Sequence, residues 1–394
     1  MPRRSPRKKL KDRIRPRLKE GAAWFGIFIA AMIVGGFLFT WSGLYSVAAT
    51  SGHWPGFGLF LEFGMRSSVR THTIGIAVPP LHDAALIERG AGHFQEGCMP
   101  CHGAPGRAPN PIAHETLPEA PDLVASVPTW EPEELFWIIK QGLKYTGMPG
   151  WAAQQRDDEI WAVVAFLRQL PALDAGEYQA LASLDVRDQA VSDEVLAQSG
   201  PPGVGLATCS RCHGLDGQAR ASGAYPRLDI QTSEYLFAQL AAYDDGTRQS
   251  GIMAPIVAEF DEAELRQLAD YYAASGVAAA DDADAASESE SDPAVLEIGR
   301  ALVIEGLPDE GIPACISCHG DNPAARSPLY PALAGQHASY IAQQLMLFRS
   351  GARRATPAAE IMAVIAERLT PAQIDAVSAY LSGLQPGAMS ETAP

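Results

Sequence analysis

The chain has 394 residues, of which 47% are hydrophobic and 19% charged, and its net charge is −16. That balance excludes a disordered polymer, and the length accommodates about two to four domains. The acidic surplus argues against nucleic-acid binding, which requires a basic patch on a folded domain.

The charge is unevenly placed. Residues 1–20 hold ten Lys and Arg against Asp12 and Glu20, a net of +8, which leaves −24 for the remainder. No charged residue occurs in 21–52. Within that run, "AAWFGIFIAAMIVGGFLFTW" (22–41) has the length of a membrane-spanning helix. Trp24, Trp41 and Tyr45 stand near its ends, where aromatic rings favour the interface. The positive-inside rule predicts a cytoplasmic segment 1–20, an anchor at 21–50, and the rest of the chain across the membrane. A cleaved signal peptide is the alternative, since "SVAAT" offers a cleavage site after Ala49. The apolar run exceeds the 7–15 residues of a signal core, which favours retention. Residues 51–80, apolar and aromatic and then basic, read as a juxtamembrane segment lying on the membrane or on a partner.

Three similar units follow, each ending in an amphipathic helix. In the first, 81–173, Asp83 is placed to cap a helix running into Cys98, and the last helix is expected at 157–170. Acids in its first turn and Arg168 near its end suit the helix dipole. A polar linker, 174–203, leads to the second unit, 204–276, with its last helix at 261–274. An acidic, low-complexity linker, 277–291, leads to the third, 292–386, with its last helix at 371–384 and a tail at 387–394. Residues 231–248 match 336–353 at a constant offset of 105, with Gln, Tyr, Gln, Leu, Gly and Arg coinciding. "YPRL" at Tyr225 matches "YPAL" at Tyr330 at the same offset, so the second and third units are a duplication.

The six cysteines fall into three copies of one pattern, "CMPCH" at Cys98, Cys101 and His102, "CSRCH" at Cys209, Cys212 and His213, and "CISCH" at Cys315, Cys318 and His319. Disulfides give no reason for a histidine after each pair. Structural zinc needs two pairs close together, and these pairs are roughly a hundred residues apart. A thioredoxin-type pair needs no adjacent histidine. Covalent c-type haem attachment accounts for every element: two thiols add to the porphyrin vinyls and the next residue reaches the iron.

An electron-carrying haem needs a second axial ligand, and methionine raises its potential. Each unit should present one in a loop before its last helix. Met148 lies 46 residues after His102, Met253 lies 40 after His213, and Met362 lies 43 after His319. "IMAVIAERL" around Met362 also has the composition of a helical core. A carbonyl should orient each axial histidine, and Pro121, Pro226 and Pro331, each in a P-x-L, are the candidates. Arg227, Arg248, Arg353 and Arg354 are candidate partners for haem carboxylates, or else solvated. His53, His72, His82, His93, His114 and His337 are not expected to be ligands, although His114 could compete with Met148.

At these residues each unit resembles a class I cytochrome c domain, with its N-terminal helix, CxxCH, P-x-L, distal methionine and aromatic-bearing last helix. "GMPGW" with "DDEIWAVVAFLRQLP" is similar to many bacterial mono-haem domains. The second and third units resemble two-domain dihaem cytochromes of bacterial respiratory chains, and 51–80 resembles the juxtamembrane part of anchored ones. The resemblance covers residues 81–386, and the first unit departs from it in its longer Cys-to-Pro loop.

The resemblance implies an all-α protein, an N-terminal transmembrane helix followed by three class I cytochrome c domains, carrying three covalently attached haem c groups. It implies a single-pass protein of the bacterial inner membrane with a cytoplasmic N-terminus and periplasmic haem domains. Such a protein is an electron carrier rather than an enzyme. It would relay single electrons from a quinol-oxidising complex or dehydrogenase to a terminal oxidase or reductase. One alternative is the trihaem subunit of a membrane-bound alcohol or sugar-acid dehydrogenase. Another is a haem peroxidase or gas sensor with one open iron.

Overall fold

A computed structural model describes residues 6–48, 50–54, 56–182, 203–220, 222–279, 292–320, 327 and 329–389. The start of the basic segment, most of both expected linkers and the end of the tail lie outside the described residues. The protein is all-α: among the described residues there are helices and two isolated bridges but no strand. It divides into residues 1–59 and residues 60–394.

The smaller unit is built on α1, Pro6–Trp41. Its segment Glu20–Trp41 is 22 residues long, apolar and exposed throughout. At 1.5 Å per residue it is roughly 33 Å long, enough to cross a bilayer core of ~30 Å. Beyond it Trp54 packs edge-on to Phe39 at 5.7 Å and to Tyr45 at 5.5 Å, and the Tyr45 hydroxyl lies 2.6 Å from His53 Nδ1.

Among the described residues the larger unit contains three main hydrophobic cores and a small cluster between the first two. α2, Phe57–His72, enters it with Val69 fully buried and Arg66 lying 4.5 Å over the Trp130 ring. In the first core α3, Ala84–Gly97, crosses α5, Asp157–Gln169, beside α4, Pro132–Gln141, and α6, Ala175–Ala182. Asp83 does cap α3, its Oδ1 accepting from Leu86 N at 2.7 Å, which satisfies one of the unpaired first-turn donors. Phe94, Phe166 and Tyr178 meet at centroid distances of 5.1 to 6.1 Å in its centre.

The second core joins α7, Gly203–His213, α8, Ser233–Asp244, and α9, Glu262–Ala279, around Leu206, Leu236 and Leu268. The third joins α10, Pro293–Ile304, α11, Ala338–Ser350, α12, Pro357–Arg368, and α13, Pro371–Ser382, around Val303, Ile374 and Leu381. α5, α9 and α13 are the expected last helices, α9 running five residues further than the pattern suggested.

Main chains touch at two crossings. A Cβ on Gly90 of α3 would lie 1.9 Å from the Ala162 carbonyl oxygen of α5, and one on Gly299 of α10 would lie 2.2 Å from that of Ala376 in α13. Only glycine allows such an approach.

The cores are not independent beads. Ala85 of α3 packs with Ala224 and Tyr225 against Cys212, joining first to second. The second and third are joined reciprocally. Gln231 donates to the Ala332 carbonyl at 2.9 Å and accepts from Ala332 N at 3.0 Å. Gln336 does the same to Arg227, at 3.0 and 2.9 Å. Each pair is the other displaced by 105 residues. Arg248 donates to Gln239, Tyr340 and Gln344, and Arg353 donates to Gln344 and Gln239. A surface on one copy meets the same surface on the other, the logic of a two-fold interface.

Candidate functional site

Each C-x-x-C-H forms a helical turn. His102 N donates to Cys98 O at 3.0 Å and His319 N to Cys315 O at 2.9 Å, while the second copy completes α7. The turn brings residues i, i+3 and i+4 to one side, so two thiols and the imidazole converge. None of the six cysteines is in a disulfide. Burial pushes the Cys98 and Cys209 thiols up to about 12, so both are neutral thiols at ordinary pH.

The three imidazoles share one second contact. His102 Nδ1 lies 2.9 Å from the Pro121 carbonyl, His213 Nδ1 3.2 Å from that of Pro226, and His319 Nδ1 2.9 Å from that of Pro331. A proton on Nδ1 satisfies the carbonyl and places the lone pair on Nε2, the tautomer a metal-binding histidine requires. The first unit makes this bond despite its longer loop. Tyr225 and Tyr330 stand beside His213 and His319 at centroid distances of 6.2 and 5.9 Å.

The second and third sets open on one cavity of about 550 Å³. Cys209, Cys212, His213 and Met253 line it together with Cys315, Cys318, His319 and Met362. His102 lines a separate cavity of about 410 Å³ with Arg107 and His114. Met148 is not on that wall; it packs against the first core from its loop. Gly142 shapes that loop: its φ is +65°, and a Cβ there would meet Gly150 N at 2.5 Å and Met148 O at 2.7 Å. Met253 opens a short helix, Met253–Val257. Met362 lies inside α12 rather than in a loop, because Thr356 caps that helix through Ala359 N and Pro357 starts it.

The candidate arginines are spoken for in different ways. Arg227 pairs with Asp229, and Arg354 forms exposed pairs with Glu360 and Glu367. Arg248 and Arg353 line the large cavity within the reciprocal interface.

Sequence reasoning missed that the first unit reaches into this cavity. Arg89, His93, Arg156 and Glu159 all line it. The available signal was "RGAGH", an arginine and a histidine four apart on a helix among small residues, which lets both faces of α3 be covered closely. Gly92 shows this: a Cβ there would lie 2.0 Å from the Tyr225 hydroxyl and 3.7 Å from Cys212 Sγ.

The docking is polar and buried. Arg156 holds Asp158 through two bonds of 2.8 and 2.9 Å, meets Glu159 at 2.9 Å and donates to the Gln249 carbonyl at 2.8 Å. Asp158 also accepts from Gln343, and Glu159 accepts from Ser250 at 2.6 Å and Gly251 N at 2.7 Å. Burial alone would raise the Asp158 carboxyl; the Arg156 guanidinium overrides it and holds the group below its ordinary value. A lowered carboxyl contributes stability above its unfolded value of ~3.9 and loses it as pH falls through the lowered value. Asp158→Asn is therefore expected to weaken urea resistance at neutral pH by about 1–3 kcal/mol, because Arg156 keeps Glu159 and the Gln249 carbonyl but loses the carboxylate that holds it at two points. It should also flatten the loss of stability below pH ~4. An acid profile identical to that of the unmodified chain would remove Asp158 from that role.

Comparison with known proteins follows this geometry. A family described as "Cytochrome C oxidase, cbb3-type, subunit III" matches residues 85–167, and one described as "Cytochrome c" matches 299–385. A "Thiosulfate dehydrogenase electron acceptor" of Thiomonas intermedia is 34% identical over 179 residues, 45% of this chain and 78% of that protein. "Cytochrome c-552" of Acidithiobacillus ferridurans is 38% identical over 180 residues, 45% and 73%. "Cytochrome c4" of Pseudomonas aeruginosa is 34% identical over 179 residues, 45% and 84%.

Proposed function

This chain belongs to the cytochrome c family, and from that premise we propose that it is a membrane-anchored trihaem relay for single electrons. The observation that carries the reading is the histidine-to-proline-carbonyl bond, repeated at all three C-x-x-C-H turns. Cys98, Cys101, Cys209, Cys212, Cys315 and Cys318 would hold three haem c groups through thioethers. His102, His213 and His319 would bind iron on one side, each oriented by Pro121, Pro226 or Pro331, and Met148, Met253 and Met362 on the other. Bound haem supplies one-electron chemistry, iron cycling between its ferrous and ferric forms. The chain's own atoms suit that group: an apolar cavity, converging thiols, and cavity-wall nitrogens at Arg89 Nε and His93 Nε2 that have no partner among the described residues.

The protein's work is to anchor, orient and exclude water. Glu20–Trp41 would cross the bacterial inner membrane once, with the basic end in the cytoplasm and the haem units in the periplasm. The donor would be a quinol-oxidising complex or a dehydrogenase, and the names of two relatives as thiosulfate dehydrogenase electron acceptors support the dehydrogenase. The acceptor would be a terminal oxidase or reductase, in keeping with the oxidase-subunit family matched by the first unit.

Haem is counted on the purified full chain by the pyridine haemochrome and by mass, and the reduced protein is then exposed to carbon monoxide. The expected result is three covalent haems and no carbon monoxide bound. A count of two would remove the unit lacking haem from the relay. Stoichiometric binding at one iron would replace the relay with the peroxidase or sensor reading.

A further inference from the structure

Arg89 occupies an unusual position for a cation. It sits on α3 of the first unit, yet it lines the cavity shared by the second and third attachment sites. Its Nε is sealed from solvent and has no hydrogen-bond partner among the described residues. The carboxylate that could have answered it, Asp158, is held at both oxygens by Arg156 and further engaged by Gln343. One helical turn on, His93 is 7% exposed, lines the same cavity, and has no partner for its Nε2 among the described residues. Burial, and then Arg89 and Arg156, push that imidazole down to about 3, so it is neutral.

Leaving the sealed Nε of a guanidinium without an acceptor costs more than an ordinary hydrogen bond returns. Two adjacent donors on one cavity wall, one of them charged, suit a carboxylate inside the cavity. Haem carries two carboxylates, whereas its ring and iron are served by apolar side chains, cysteine and histidine. Tyr225, beside His213, shares this corner: its hydroxyl donates to the Glu88 carbonyl at 3.2 Å, one residue before Arg89.

We propose that the first unit completes the haem pocket of the second, Arg89 pairing with a haem carboxylate in the shared cavity and His93 donating to the same group. The inference rests on the haem reading above. Arg89 is a positioning and tuning residue, not a ligand. Its charge also has a direction of effect. Ferric haem carries one more positive charge than ferrous, so a nearby cation favours the reduced form.

The test uses the full chain with haem attached, as Arg89→Met and Arg89→Gln, and reads two quantities. Haem content checks the underlying reading; three midpoint potentials from a spectroelectrochemical titration check this one. The expected result is an unchanged haem count with one component shifted towards oxidation about tenfold at fixed potential, which is 59 mV for a one-electron couple. The other two components should stay in place, and Arg89→Lys should recover most of the shift. Three unmoved midpoints at full haem content would overturn the role of Arg89 and leave the relay standing. A wild-type chain without three haems would overturn the relay itself. If Arg89→Met does not accumulate, Arg89→Gln decides, because it keeps the polarity and removes only the charge.

Discussion

Replacing Gly90 by alanine is expected to open the first core. The new methyl would lie 1.9 Å from the Ala162 carbonyl oxygen and 2.5 Å from its carbon, with Phe166 Cβ at 2.9 Å. The obstacle is main chain in the middle of α5, so no rotamer change relieves it. α3 and α5 must part, and the Phe94–Phe166–Tyr178 cluster between them loses its packing. Overpacking of side chains typically costs 1–3 kcal/mol; here the expected cost is at or above about 3 kcal/mol. Gly299→Ala should do the same to the third core, where the clash is with Ala376. Gly64, inside α2 with nothing within 4 Å of its Cβ position, is the control. Alanine there should stabilise the helix by up to about 1 kcal/mol. Urea midpoints followed by tryptophan fluorescence compare the three. A Gly90→Ala midpoint as high as that of Gly64→Ala would mean that the crossing is looser than its geometry.

The second large effect concerns the iron. Removing Met253 as alanine should leave the second haem without its sixth ligand. The reduced protein, expected to bind no carbon monoxide when intact, should then bind one equivalent. The midpoint of that haem should fall by a sizeable part of the ~0.8 V range that axial ligation spans, because thioether ligation favours the ferrous state. Met148→Ala and Met362→Ala should each do the same at a different haem, and the three double variants should bind two equivalents. Met346, 46% exposed on α11, is the negative control. A Met362→Ala protein that still excludes carbon monoxide would return Met362 to the helical core in which it sits.

What the chain reveals on reading depends on how local each feature is. The C-x-x-C-H turns, the Asp83 cap and the last helices are set by residues within a few positions, and they stand where the spacing puts them. The kinship of the second and third units was legible because duplication copies whole stretches, "YPRL" and the Gln-to-Arg segment among them. The helix around Met362 was signalled by Thr356 and Pro357, but its place in the repeat argued for a loop. The docking of the first unit was not legible. Arg156 with Gln249, Glu159 with Ser250 and Asp158 with Gln343 join residues 91 to 185 apart in the chain. Neither periodicity nor composition marks such partners. His93 is not among the expected ligands and Arg89 carries no local motif; their meaning comes from the surface that α3 lies against.

The reciprocal glutamine and arginine bonds make the second and third units near-copies facing one another. A fully symmetric pair of haem sites would be degenerate. Two equivalent wells would share an added electron evenly, and the charge would have no preferred direction. Here the first unit adds to the asymmetry by approaching off the axis, on the side of Tyr225 and Ser250. On the proposal made above it would bring the field of Arg89 to one haem of the pair, deepening one well relative to the other. A duplication would thereby become a step with an upper and a lower side, its slope tuned in part by a residue outside the duplicated pair.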